Sequence, residues 1–196
     1  SIARSQPQAL AQEKFLELIY GDHPYGRLYP SEAMLQNYGI DQVRQFHARN
    51  FGAARAHLYV AGVFDAVAVE RAVREAFGDW APGNAPTEKP PTPKTGRTVA
   101  LIDRPDAVQS TLILGLPVPD PTDEDYVALE VTDALLGGAF GSRITRNIRE
   151  DKGYTYSPFS SVADYHQVSH WSQQADVTTN VTGASLKEIF HEIDSL

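Results

Sequence analysis

Between Gly137 and Tyr156 the chain sets stop and start signals so close together that few local paths remain open to it. Gly137-Gly138 ends one helix, and Ser142 can cap the next. Ile144 and Ile148, four apart, give that second helix a buried side. Gly153 then permits a tight reversal into a strand that opens Tyr154-Thr155-Tyr156. The outcome is a short cationic helix with Arg149 in its last turn and Tyr154 five residues on. Such a turn can aim a guanidinium and a phenol at one place.

Composition narrows what that place can meet. A chain of 196 residues suffices for one or two domains with a real core. Its formal net charge of -8, with no dense Lys/Arg block, argues against nucleic acid or an anionic membrane as the main partner. No apolar run approaches the ~18 residues of a membrane-spanning helix. Without cysteine there are neither disulfides nor thiolate metal sites, and the redox compartment is undetermined. Position 1 is Ser, no signal-like segment follows, and Ile189–Leu196 reads as an unfinished amphipathic helix, so the chain is expected to be a piece of something longer.

In chain order, Gln8–Tyr20 reads as a helix ended by Gly21, followed by the turn His23-Pro24-Tyr25-Gly26-Arg27. Ser31 and Asp41 are expected to cap two further helices. Arg55–Val63 is nearly all apolar and predicts an interior strand. Asp65 starts a helix with Val69, Ala72, Val73, Ala76 and Phe77 on one side. Five prolines between Pro82 and Pro93 then mark a linker, since proline cannot donate to a ladder and keeps the chain extended. Thr98–Asp103 and Gln109–Leu116 predict two strands around Arg104-Pro105-Asp106, and Thr122 a capping-box start to a helix reaching Leu136. Tyr154–Val162 and Val168–Thr178 predict an antiparallel pair around a polar turn, before a last helix carrying Leu186, Ile189, Phe190 and Ile193. Paired strands followed by helices predict an α+β fold, an antiparallel sheet covered by helices. The expected division is residues 1–80, a linker over 81–97, and a second unit over 98–196.

No metal site emerges. Of the six histidines, only His166 and His170 have a four-residue spacing, but Val168–Thr178 alternates like a strand. There, residues four apart lie ~13 Å from each other and cannot share one tetrahedral ion. His47 and His57 sit beside apolar residues and read as packed histidines, and His191-Glu192 lacks a second His. No Gly-x-Ser-x-Gly elbow is present. The glycines at 137, 138 and 141 lack the Lys-Ser/Thr of a phosphate loop, and Asn180-Val181-Thr182 is a glycosylation sequon by pattern only.

Arg149 and Tyr154 remain. One reading is a charged surface helix, Arg143, Arg146 and Arg149 against Glu150 and Asp151, with a packing tyrosine. The other is a pair of fixed donors suited to a carbonyl oxygen or the oxyanion formed from it.

The same residues carry a family resemblance. Leu135-Leu136-Gly137-Gly138, Gly141-Ser142-Arg143 and Ile148-Arg149-Glu150-Asp151-Lys152-Gly153-Tyr154-Thr155-Tyr156 resemble the second-domain signature of the insulinase (pitrilysin, mitochondrial processing peptidase) family of zinc peptidases. His23-Pro24-Tyr25-Gly26 resembles that family's turn after the zinc-binding region. Ala61-Gly62-Val63-Phe64-Asp65 resembles its glycine-aspartate strand end, and Arg104–Ser110 the opening hairpin of its second domain. These fall in family order across most of the chain.

The resemblance implies two similar α/β-roll halves closing around a peptide. The first half carries an inverted zinc motif, His-x-x-Glu-His, with a further Glu downstream; the second half, or a partner subunit, supplies an Arg and a Tyr that grip the substrate backbone. Those match Arg149 and Tyr154 here, with Tyr156 the alternative tyrosine and a further substrate-binding candidate. No His-x-x-Glu-His occurs in the sequence, so by family order the motif would lie upstream of Ser1. The expectation is therefore the rear of a first half, the linker and the front of a second, clamping half of a bacterial zinc metalloendopeptidase. This piece alone would be inactive and would bind no zinc, the parent's metal being held elsewhere. Its partners would be a peptide substrate and the zinc-bearing half, as one chain or as a homo- or heterodimer, in periplasm or cytoplasm. The competing readings are a non-catalytic partner or structural core subunit of the same fold, and an unrelated α+β binding module.

Overall fold

Strand β3 (Val168–Thr178) is the axis of the fold, and ten of its eleven residues are buried or half-buried. The computed structural model describes residues 5–85 and 89–196; positions 86–88, inside the expected linker, lie outside the described residues. β3 pairs antiparallel with β1 (Gln109–Val118) on one side and β2 (Phe159–Tyr165) on the other, in the order β1-β3-β2. Registers run Gln109 to Thr178 and Tyr165 to Val168. The latter leaves only His166 and Gln167 in the hairpin loop, with Gln167 at φ 61°. The fold is α+β.

The two faces of β3 take different cover, as strand alternation dictates. Trp171, Ala175 and Val177 point into a core with Leu136, Ile144, Ile148 and Ile189. These come from the stretch after α5 (Tyr126–Asp133), the helix over Thr145–Asp151, and α6 (Thr182–Asp194). His170, Gln174 and Asp176 face the other way, onto α1 (Pro7–Tyr20). There Phe15 meets the His170 ring, and Gln8 donates to Asp176 at 3.0 Å.

The chain divides into two units: residues up to Tyr29 together with Pro90–Leu196, and Pro30–Lys89. The first holds the sheet, α1, α5 and α6. The second holds α2 (Glu32–Gln36), α3 (Ile40–Asn50) and α4 (Ala66–Phe77), none of which contains a buried residue.

Local signals account for most boundaries. Ser31 accepts from the Met34 amide, and Asp65 Oδ1 from Val67 and Ala68, so both act as the expected caps. Two starts differ. α3 begins one residue before Asp41, capped instead by Gln42 reaching back to the Gly39 amide at 3.0 Å. Thr122 turns its hydroxyl back to Asp120, and α5 starts only at Tyr126.

Three strand expectations also change. Arg55–Val63 forms no ladder among the described residues, and Leu58, Tyr59 and Val63 are exposed. Thr98–Asp103 likewise has no ladder, with Val99 and Leu101 exposed. An apolar run favours a strand only where a neighbour takes its N–H and C=O groups. Finally, Tyr154–Val162 is interrupted. Thr155 makes a single bridge to Val177, and β2 resumes at Phe159, just after Pro158, which cannot donate to a ladder.

Candidate functional site

The helix carrying Arg149 is held from several directions. Ile144 and Ile148 are fully buried against β3 and α6. A second side faces the acidic residues of α6. Arg143 Nε donates to Glu192 at 2.8 Å, Asn147 donates to Glu192 at 2.7 Å and Glu188 at 3.0 Å, and Lys152 lies 3.5 Å from Glu188. The helix is wide, with i+5 bonding that shows at its end where the Lys152 amide donates to the Asn147 carbonyl at 3.2 Å. Such wide turns often occur at functional sites. Gly153 then takes φ 63°, and the Tyr154 amide closes onto the Ile148 carbonyl at 2.8 Å.

The entry to this helix is pinned to the sheet. Asp133, at the end of α5, accepts from Trp171 Nε1 at 2.7 Å and from the Ser160 hydroxyl. One carboxylate thus ties α5 to both β3 and β2. The following turn, Ala134–Gly138, lies so close to the strands that a Cβ on Gly137 would meet Ser160 Oγ and Gln173 Oε1 at 2.5 Å. Ala139 is extended, and the Ser142 amide returns to the Ala139 carbonyl at 3.0 Å. Phe140 sits at the tip of this turn, 75% exposed.

The candidate site residues separate at this point. The guanidinium carbon of Arg149 lies 4.5 Å from the Phe140 ring centroid and 5.0 Å from that of Tyr156, within cation–π range. Arg149 Nε is 3.3 Å from Glu150 Oε1. Among the described residues no partner takes the terminal nitrogens. Tyr154 instead packs, half-buried, against the core cluster that contains Ile148 and Val177. Arg149 and Tyr156 are therefore brought together beside Phe140, which sequence reasoning assigned no role. The available signal was an aromatic residue between Ala139 and Gly141 in a turn, where no core periodicity demands one.

The histidines are dispersed. His170 is buried, its Nδ1 2.8 Å from the Tyr20 hydroxyl, while His166 occupies the hairpin loop. Among the described residues no group of three or more His, Cys, Asp or Glu could hold a metal ion, so these residues do not fit a zinc centre. No helix of the described residues is long and apolar enough to cross a membrane.

The family model for the "Peptidase M16 inactive domain" matches residues 38–196. The chain belongs to the M16 peptidase family. An uncharacterized zinc protease of Mycobacterium leprae is 31% identical over 163 residues, covering 80% of this chain and 36% of the relative. One of Mycobacterium tuberculosis is 32% identical over 165 residues, with the same coverage. This M16 chain thus spans about a third of the length of such relatives. Among solved structures, a peptidase M16 inactive domain from Pseudomonas fluorescens superposes with a TM-score of 0.87 at 23% identity, covering 99% of this chain and 47% of that one. A protease from Helicobacter pylori gives 0.85 at 20% identity, covering 98% and 48%. A chain of complex III from Candida albicans gives 0.73 at 15% identity, covering 95% and 48%. These likenesses establish the shared fold.

Proposed function

We propose that this chain is the substrate-clamping part of a zinc metalloendopeptidase, with Arg149 and Tyr156 holding the scissile carbonyl of a peptide. The carrying observation is the contact of the Arg149 guanidinium with the Tyr156 ring, on a helix fixed by buried isoleucines. The zinc protease names of the relatives support the reaction class. In this reading a zinc-bearing half, elsewhere in the same protein or in a partner subunit, would hold the metal and supply its Lewis-acid chemistry. Within this chain, the Arg149 N–H groups and the Tyr156 hydroxyl donate to the carbonyl oxygen as it gains negative charge. Donors prepositioned in this way stabilise the transition state more than the substrate.

The sequence alone favours Tyr154, which directly follows Gly153. The geometry favours Tyr156, because Tyr154 leans on the core and Tyr156 is exposed beside the guanidinium. Kinetics on the complete zinc-loaded protein separates the two. Tyr156→Phe and Arg149→Gln should each lower kcat by roughly 10²–10³, the usual effect of losing one oxyanion donor. Tyr154→Phe keeps the packed ring and should change kcat less than about threefold, well short of that loss. An unchanged kcat in Arg149→Gln would sink the clamp role, and the reverse ranking of the tyrosines would restore Tyr154.

A second reading, a non-catalytic partner or structural subunit, draws on the family description of an inactive domain. It predicts that the complete protein cleaves no peptide with or without added zinc.

A further inference from the structure

We infer that Phe140 is a positioning residue for Arg149: with Tyr156 its ring holds the guanidinium in one orientation and leaves the terminal nitrogens for the peptide. The inference rests on the clamp reading of Arg149 and adds a residue to it.

Three observations carry it. First, Phe140 contributes little to the core. It is 75% exposed at the tip of a turn and belongs to neither core cluster. Second, its place is fixed by others. Asp133 anchors the preceding turn to β2 and β3, and Gly137 allows the close approach. Third, it meets the cation at 4.5 Å, nearer than Tyr156 at 5.0 Å. An arginine side chain carries much rotamer freedom, and aromatic stacking reduces what must be lost on binding. Glu150 takes the Nε side. The terminal edge, the fork that recognises oxygen atoms, is left for a ligand.

The test compares Phe140→Leu, which keeps apolar bulk without a π face, with Phe140→Trp, which keeps the face. In the full-length protein, arginine-selective NMR should place the Arg149 Hδ and Hε resonances upfield through ring currents. Phe140→Leu should return them toward random-coil positions, and Phe140→Trp should hold them upfield. On the zinc-loaded protein, Phe140→Leu should lower kcat about 2–5-fold with KM little changed, as expected for a partly exposed cation–π contact, and Phe140→Trp should rescue it. Unmoved Arg149 resonances in Phe140→Leu would overturn the inference, as would a tryptophan variant no better than leucine in both readouts. If Phe140→Leu shifts the resonances while Arg149→Gln leaves hydrolysis intact, the contact stands and the clamp reading falls.

Discussion

His170 ties α1 to the sheet through one buried ring. Tyr20 reaches its Nδ1, Phe15 meets it edge-on and Tyr165 lies stacked beside it. Burial holds its pKa below the ordinary value of 6.5, with the Asp164 charge pulling the other way. The sign follows from linkage. The unfolded chain takes up a proton near pH 6.5 and the folded chain only at lower pH. Stability from this site is therefore full above about pH 6.5 and declines as pH falls toward the folded-state value. Urea midpoints at pH 7.5 and 5.5 should show this decline. His170→Gln, which retains an acceptor for Tyr20 but does not titrate, should reduce it; an undiminished difference would assign the pH dependence to other groups. The alternation of β3, with Trp171, Ala175 and Val177 on one face and His170 on the other, was readable in the sequence. That Tyr20, 150 residues earlier, would supply the partner was not, because no local pattern encodes which helix covers the second face of a sheet. Arg149 was legible as a helix-end cation for the same local reason that Phe140 was not legible as its partner: the contact joins two turns through space.

At the level of elements, the 145–151 helix depends on its polar side as much as on its apolar one. Glu192 accepts from both Arg143 and Asn147 in a half-buried setting, while Glu188 meets Asn147 and, more distantly, Lys152. Burial alone would raise the Glu192 pKa, but donation from Asn147 and Arg143 outweighs it and holds the carboxyl below its usual range. A depressed carboxylate contributes stability above about pH 4.5 that is lost as pH falls through the folded-state value. At neutral pH, Glu192→Ala removes the acceptor shared by Arg143 and Asn147, each of which keeps one other partner, and should cost about 1–3 kcal/mol in urea unfolding, more than Glu188→Ala. Equal losses would mean that Glu192 and Glu188 share the polar grip, and no loss from either would leave it to apolar contacts. On the approach side, Gly137→Ala drives a methyl into Ser160 and Gln173 and should cost about 1–3 kcal/mol, read from the same unfolding curves. Ile144, Ile148 and Gly153 announced this element in the sequence, whereas the expected cap, Ser142, turns its hydroxyl to Thr145 Oγ1 at 2.9 Å. The helix's i+5 winding did not appear in the sequence, because it follows from how the turn is docked rather than from residue spacing.

For the whole molecule, the informative contrast is between the two units. In the sheet-bearing unit, apolar residues from β3, the 145–151 helix and α6 are fully buried together. In Pro30–Lys89, the apolar sides of α3 and α4 are exposed at Val43, Phe46, Val67 and Phe77, as is the predicted strand at Leu58, Tyr59 and Val63. That segment has the composition of an interior strand without a ladder partner among the described residues, so sequence and structure disagree there for want of a neighbour. If the chain is part of a zinc peptidase as proposed, the rest of the zinc-bearing half would be the source of one. Amide exchange tests this, since protection follows local burial and paired backbone groups. In the 196-residue chain, amides of 168–178 should remain protected while those of 56–63 exchange at the earliest labelling times. In the complete protein, 56–63 should gain protection comparable to β1. Early exchange of 56–63 in the complete protein as well would show that the apolar run is not a strand of a larger sheet.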